Sequence, residues 1–283
     1  MTVQTIDLAT PRGPKPIPAL GFGVWQVPDD QVDAAIATAL EVGYRHIDTA
    51  RIYGNEAGVG RALAAAAVPR DEIFVTTKVW NDDHAAASDT ARPRAALEAS
   101  LTRLGLDRLD LYLIHWPTPS QNLYAETWAA LRQLRDEGLV DAIGVCNFQP
   151  GHLQRAYDIT GEWPAINQIE LHPYLQQSEL QDFHAERGIV TESWSPLASG
   201  KQVLADPVIG AIAGKYGRTP AQVIIAWHLA RGFVVIPKSV TPSRIAENFA
   251  AADLRLDADD LAAIAALDRS FRTGPDPDTF NML

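Results

Sequence analysis

Asp48 and Tyr53 stand five residues apart in Gly43-Tyr44-Arg45-His46-Ile47-Asp48-Thr49-Ala50-Arg51-Ile52-Tyr53-Gly54-Asn55-Glu56. They follow a short apolar run, so one strand-to-helix loop must carry both. A carboxylate and a phenol on one loop can move a proton. A phenol with an ordinary pKa of about 10 is a weak acid at neutral pH. Lys78, which ends another apolar run, supplies what is missing: a buried ammonium beside Tyr53 favours the phenolate. Such an ammonium needs a counter-charge, which Asp48 provides. His115, directly after Leu113-Ile114, can hold a substrate oxygen in place.

The elements that must position these groups follow a rhythm. Helical stretches end at Gly43, Gly105, Gly138, Gly188 and Gly232, where glycine supplies a left-handed cap, and a short apolar run follows each. The runs Arg45–Ile47, Leu109–Ile114, Ala142–Val145, Ile189–Thr191 and Phe233–Ile236 join Leu20–Gly23, Ile73–Thr77 and Ala165–Ile169 as eight strands. Helical segments follow them, among them Val32–Leu40, Arg94–Leu104, Tyr124–Asp136, Ser178–Arg187 and Val223–Arg231, the last opened by the capping box at Thr219–Gln222. Alanine-rich Ala62–Ala67 and Leu261–Leu267 read as short outer helices, and the tail from Gly274 to Leu283 as irregular. Eight β-α units predict an α/β fold of the (β/α)8 TIM barrel class, preceded by an N-terminal β-hairpin over residues 3–8 and 15–19. One domain spanning 1–283 is expected. A doubly wound sheet is the alternative, but Gly21-Phe22-Gly23 has only two of the three glycines of a dinucleotide fingerprint.

A barrel of this kind places its site at the carboxyl ends of the strands. The residues there are Asp48, Lys78, His115, Asn147, Gln168, Trp194 and Lys238, one from each of seven consecutive strands. A second stretch, Ile236 to Asn248, ends a strand in a basic, hydroxyl-rich turn and opens a helix. Thr241 is expected to cap that helix and Pro242 to fill its first turn. With Lys238, Ser239 and Arg244 around a helix N-terminus, it reads as a phosphate site.

Composition bounds the rest. Lys+Arg 24 against Asp+Glu 35 give a net charge of −11, which argues against nucleic acid or an anionic membrane as partner. An anionic ligand must then be held by a local basic cluster. One cysteine, Cys146, allows no internal disulfide, and the opening residues lack a signal-peptide pattern, so a cytoplasmic location is expected. No apolar run approaches the ~20 residues of a membrane helix. The seven histidines lack His-x-His and His-Glu-x-x-His spacing, and no nucleophile elbow or phosphate loop is present.

From about Leu20 to Asn248 the chain resembles the aldo-keto reductases. The resemblance rests on Gly43–Ala50 with Tyr53–Glu56, on Lys78, on Leu111–Pro117 with its His-Trp-Pro segment, and on Ile236–Asn248. It implies a catalytic tetrad of Asp48, Tyr53, Lys78 and His115, and NADPH extended across the barrel mouth. Asn147 and Gln168 would hold the carboxamide, Trp194 the nicotinamide face, and Ser195 to Leu197 the pyrophosphate region. Ile236, Lys238, Ser239, Val240, Arg244 and Asn248 would surround the adenosine and its 2′-phosphate. Within the family the chain looks most like the bacterial branch that includes diketogluconate reductases, with Trp25, Trp80, Trp116 and His115 at the substrate.

The sequence departs from that pattern in three places. Cys146, a weak donor, stands where serine is common, putting one cofactor hydrogen bond in question. Thr241 and Pro242 lie where an additional arginine is frequent in that branch, which implies a less extreme preference for NADPH over NADH. The chain after Asn248 is short, which implies an open, tolerant pocket. The expected protein is a monomeric NADPH-dependent reductase of aldehydes, ketones or dicarbonyls. Its rivals are an NADPH-binding regulatory protein with weak turnover and a metal-dependent hydrolase on the same barrel.

Overall fold

A computed structural model describes residues 3–86, 90–200 and 202–283. The chain opens with an antiparallel hairpin, β1 (Thr5–Leu8) and β2 (Lys15–Pro18). Eight parallel strands follow in sequence order: β3 (Phe22–Gly23), β4 (His46–Asp48), β5 (Phe74–Val79), β6 (Leu109–Ile114), β7 (Val140–Cys146), β8 (Ile166–Glu170), β9 (Val190–Trp194) and β10 (Val234–Val235). Leu20 bridges Val235 in parallel, and Val235 N donates to Ala19 O at 2.8 Å, so the last strand meets the first and the barrel closes. The expected barrel and hairpin are both present.

The strands are short and β4, β5, β6 and β8 are buried along their whole length, as parallel strands covered on both faces must be. The helices among the described residues are α1 (Asp29–Val42), α2 (Glu56–Ala65), α3 (Ala91–Leu104), α4 (Tyr124–Asp136), α5 (Pro150–Thr160), α6 (Ser178–Arg187), α7 (Pro207–Tyr216), α8 (Pro220–Ala230), α9 (Pro242–Phe249) and α10 (Ala258–Ala265). In α3 the buried residues Pro93, Ala96, Leu97, Ser100, Leu101 and Leu104 recur every three or four positions, one face of a helix laid on the barrel. Gly105, in the left-handed region at φ 66°, ends it.

Several boundaries differ from the sequence reading. Gly105 and Gly188 are left-handed caps as expected, but Gly43 lies at φ 124°, outside that well. Helices α4 and α8 are capped by Glu137 and Arg231, with Gly138 and Gly232 one residue later. Residues 62–65 are not a helix of their own but the end of α2, and 66–67 lie beyond it. The last helix starts three residues before Leu261, because the Asp257 carboxylate accepts from Asp260 N at 3.0 Å and fixes its first turn. Helices α5 and α7 were not singled out. Each opens on a proline at its first position.

The hairpin covers the amino ends of the strands. Leu8 and Ile17 pack with Phe74, Leu111, Ala165 and Val234, and Lys15 Nζ reaches Asp110 (2.8 Å) and Asp141 (2.7 Å). The chemistry is thereby left to the opposite end. No helix among the described residues is long and apolar enough to cross a membrane.

Close packing makes one position intolerant. A Cβ on Gly144, in β7, would lie 2.5 Å from Ile166 Cγ2 and 2.6 Å from the Ile166 carbonyl oxygen. Backbone cannot yield there as a flexible side chain could. Gly144→Ala is expected to lower stability by about 1–3 kcal/mol, the usual cost of overpacking, read as an earlier midpoint in urea.

Candidate active site

Register sets the centre of the site. β4 pairs with β5 so that Asp48 lies opposite Thr76, and Lys78 sits two residues further along β5. Lys78 is wholly buried and Asp48 is 2% exposed. Lys78 Nζ donates to Asp48 Oδ1 (2.7 Å), Asp48 Oδ2 (2.9 Å) and Thr49 O (2.9 Å). Tyr53 belongs to the short 3-10 turn Arg51–Tyr53, and its ring lies 5.2 Å from Lys78 Nζ. Arg51 anchors that turn by ion pairs to Asp82 and Asp83 in the loop after β5. His115 faces Tyr53 edge-on at 5.7 Å and Trp80 at 5.1 Å. The four polar groups predicted from sequence are therefore brought together.

Their electrostatics differ from expectation in one respect. Burial opposes a charge on Lys78, but Asp48 and then Tyr53 outweigh it, and its pKa rises above the ordinary lysine value. Burial also raises the Tyr53 phenol above its ordinary value, and the pull of Lys78 recovers only part of that rise because Asp48 opposes it. Lys78 acts in the predicted direction without bringing the phenol below normal. Burial, followed by Lys78, pushes His115 well below the ordinary histidine value, so its imidazole is neutral at pH 7. Its Nδ1 is buried without a hydrogen-bond partner among the described residues.

The amides behind the tetrad are already occupied. Gln168 Nε2 donates to Asp48 Oδ2 (2.9 Å) and Glu192 Oε2 (3.0 Å), while its Oε1 accepts from Cys146 Sγ (3.6 Å). Asn147 Nδ2 donates to His115 O (3.0 Å) and to Cys146 Sγ (3.1 Å), and Asn147 Oδ1 accepts from Trp194 Nε1 at 2.8 Å. Asn147 and Ser195 both lie at positive φ, 65° and 47°, where each strand turns into the mouth. Asn147 retains an open lone pair on Oδ1. Gln168, by contrast, spends its amide on protein carboxylates. Cys146 is bound to both amides, and burial raises its thiol well above the ordinary range.

A cavity of about 960 Å³ runs from this cluster across the mouth. Asp48, Tyr53, His115, Trp80, Trp116 and Trp25 line one part, and Asn147, Gln168, Trp194, Ser195 and Leu197 the middle. Ile236, Lys238, Ser239, Arg244 and Asn248 line the far part. Two predicted residues are not on its wall: Lys78 lies beneath it, and Val240 points away, 43% exposed. Thr241 occupies the N-cap of α9 but its side chain makes no capping bond; Ser239 Oγ accepts from Thr241 N at 3.1 Å and fixes the turn instead. Among the described residues neither Lys238 nor Arg244 has an acidic partner within salt-bridge distance. Two unpaired cations at a helix N-terminus fit the phosphate end of an extended dinucleotide, and the cavity joins that end to the tetrad.

Several side chains at or behind the cavity were not anticipated. The tail, irregular as expected, returns over the mouth. Glu170 accepts from Thr273 N (2.6 Å), Thr273 Oγ1 (2.6 Å) and Gly274 N (3.1 Å), and the Phe280 ring packs on Trp116 at 4.4 Å. Phe280 and Met282 line the cavity, so even the short tail supplies a wall to the pocket predicted to be open. Phe280 and Met282, apolar residues at the end of a Pro- and Asp-rich tail, were the available signal. Glu192, an acid in the middle of a buried strand, was the other. His46, Asp48 and Glu192 offer ligand atoms within 4.8 Å of one another, but both Asp48 oxygens already receive Lys78, which fills the cation's place.

Residues 19–269 match the model of the aldo/keto reductase family. The methylglyoxal reductase DkgA of Salmonella typhimurium is 58% identical over 265 residues, covering 93% of this chain and 94% of that protein. The crystal structure of Gox0644 in its apo form superposes with a TM-score of 0.92 at 47% identity, over 99% of each chain. A mutant of the same protein in complex with NADPH gives 0.91 at 47% identity, again over 99% of each chain.

The buried pair generates a stability test. Lys78→Met leaves the Asp48 carboxylate buried without its cation, a loss expected to cost about 3–5 kcal/mol. Replacing both partners, Asp48→Asn with Lys78→Met, is expected to regain much of that, read from chemical denaturation of the two variants side by side.

Proposed function

The chain belongs to the aldo/keto reductase family, and from that premise we propose that it reduces small aldehydes, ketones and dicarbonyls, α-oxoaldehydes among them, with Tyr53 as proton donor. Membership and the methylglyoxal reductase relatives make it an NADP-dependent oxidoreductase. The observation that carries the finer reading is the continuity of one cavity. It has the Asp48–Lys78–Tyr53–His115 cluster at one end and unpaired Lys238 and Arg244 at the other.

When bound, NADPH supplies the hydride. Lys238, Ser239, Arg244 and Asn248, with the N-terminus of α9, would take the adenosine 2′-phosphate, and Trp194 offers an aromatic face beside Asn147. The neutral His115 imidazole donates an N–H to the carbonyl oxygen and orients it. Tyr53 keeps its proton until negative charge grows on that oxygen, then transfers it, because an alkoxide is a stronger base than a phenolate. The raised phenol pKa is therefore compatible with the role. Lys78 stabilises the phenolate left behind. Trp80, Trp116 and Phe280 keep water from the reacting oxygen. A related α-oxoaldehyde reductase supports a small dicarbonyl as substrate, and the aromatic wall is compatible with larger aldehydes.

Two measurements follow from this reading. Proton donation by a placed acid is worth ~10²–10⁴-fold. Tyr53→Phe should lose that much kcat on methylglyoxal while NADPH still quenches tryptophan fluorescence; wild-type-like turnover would sink the assignment. Arg244→Ala should weaken NADPH binding by roughly ten- to a hundredfold, the worth of a charged hydrogen bond, and leave NADH binding unchanged. Equal losses for both cofactors would remove Arg244 from the phosphate.

A further inference from the structure

Glu192 takes no part in the steps above, yet it sits directly behind them. It lies on β9 in register with Gln168 of β8 and Val234 of β10, and it is wholly buried. One nitrogen, Gln168 Nε2, serves both carboxyl groups, Glu192 Oε2 at 3.0 Å and Asp48 Oδ2 at 2.9 Å. Glu192 Oε1 has no hydrogen-bond partner among the described residues.

The groups that face it come from every neighbouring element. β4 contributes Asp48 and His46, whose Nε2 is 3.9 Å from Glu192 Oε1. β5 contributes Lys78, and Thr76, whose Oγ1 is 3.1 Å from His46 Nε2. β7 contributes Cys146, whose thiol burial holds neutral and which donates to Gln168 Oε1; β8 contributes the neutral Gln168, and β10 the apolar Val234. Burial lowers the His46 pKa to about 4, so it brings no charge at neutral pH. A single ammonium, Lys78, is left to balance two carboxyl groups, and it is bonded to one of them. An ionised Glu192 would be a second buried negative charge without a cation. Burial, then Asp48, accordingly raises the Glu192 pKa from 4.5 to about 8.

We propose that Glu192 is a positioning residue for carbonyl reduction: held as the neutral acid, it shares the Gln168 amide with Asp48 and leaves Asp48 as the undivided counter-ion of Lys78. It acts through Gln168, Asp48 and Lys78, and touches neither substrate nor cofactor. Loss of its proton sets two carboxylates against Lys78, weakens the field that Lys78 exerts on Tyr53, and makes the phenol a poorer donor. The inference rests on the reading of Tyr53 as the proton donor.

The direction of the pH effect on stability is fixed. With the folded pKa above the unfolded one, the contribution of Glu192 is complete below about pH 4.5, declines as pH rises, and is lost by about pH 8. Glu192→Gln, which does not titrate, should gain stability relative to wild type across that window and gain no more above it. The same pair, assayed with methylglyoxal at saturating NADPH, should differ in kcat. Wild type falls by up to about tenfold per pH unit above pH 8. The variant lacks that limb, and its KM for NADPH stays at the wild-type value.

Superimposable kcat profiles together with parallel stability curves would overturn the inference, even with Tyr53→Phe inactive as expected. If wild type reduces no carbonyl, the reading of the site fails separately. The stability curves then decide Glu192, and a constant gap between them overturns it. Should Glu192→Gln not fold, wild type decides: an infrared band of a protonated carboxyl that titrates away through about pH 8 supports the inference, and its absence overturns it.

Discussion

The structure turns on one buried ion pair. Lys78 and Asp48 are removed from water at the ends of neighbouring strands, and neither could be buried alone without a cost of several kcal/mol. Each of the three Lys78 donors has an acceptor, two on Asp48 and one on the Thr49 carbonyl. The register of β4 on β5 is what brings them together, and a slip of one residue would turn Lys78 to the other face of the sheet. The β4–α2 loop is also held around this pair. Asn55 Nδ2 donates to Val24 O and Val27 O at 2.9 Å each, and Thr49 Oγ1 donates to Asn55 Oδ1 at 2.8 Å. Glu56, at the start of α2, accepts from Thr77 Oγ1 at 2.6 Å and pairs with Arg103. Tyr53 is placed by a loop whose backbone is pinned on both sides.

The two ends of the cavity solve opposite electrostatic problems. At the tetrad, charge is enclosed and must sum to nearly zero. At the α9 end, Lys238 and Arg244 are exposed and unpaired in a chain of net charge −11. The net negative charge disfavours an approaching anion, and those cations with the helix N-terminus form a local exception. The acidity of the rest of the chain sharpens the contrast.

Much of this was legible in the sequence. Parallel barrel strands all end at the same face, so a polar residue after each apolar run places itself, and Asp48, Lys78, His115, Asn147, Gln168, Trp194 and Lys238 were found that way. What the pattern could not convey was the direction of a side chain once there. Gln168 looks like a ligand residue by position, but its amide is turned to Asp48 and Glu192. Glu192 stands out in Val-Thr-Glu-Ser-Trp as an acid in mid-strand, but what faces it is set only when neighbouring strands close over it. Phe280 was hidden for a different reason. The tail has no periodicity, and contacts such as Glu170 with Thr273 join residues 103 apart in the chain. Thr241 lies at the expected N-cap, but its side chain makes no capping bond, and its own backbone N–H donates to Ser239 Oγ two residues earlier.

The crossing of the tail over Trp194 divides it into two parts with different freedom. A Cβ on Gly274 would lie 2.4 Å from the Trp194 ring, and Glu170 grips the backbone at Thr273 and Gly274. That root is therefore committed. Beyond it the chain runs as turn and coil to Phe280, bound by scattered contacts such as Asn81 Nδ2 to Met282 O at 2.8 Å. The tip can be rewritten while the root, and the buried ion pair below it, stay as they are. In this architecture the rim of the cavity and the buried cluster beneath it rest on separate sets of contacts, so one can change without disturbing the other.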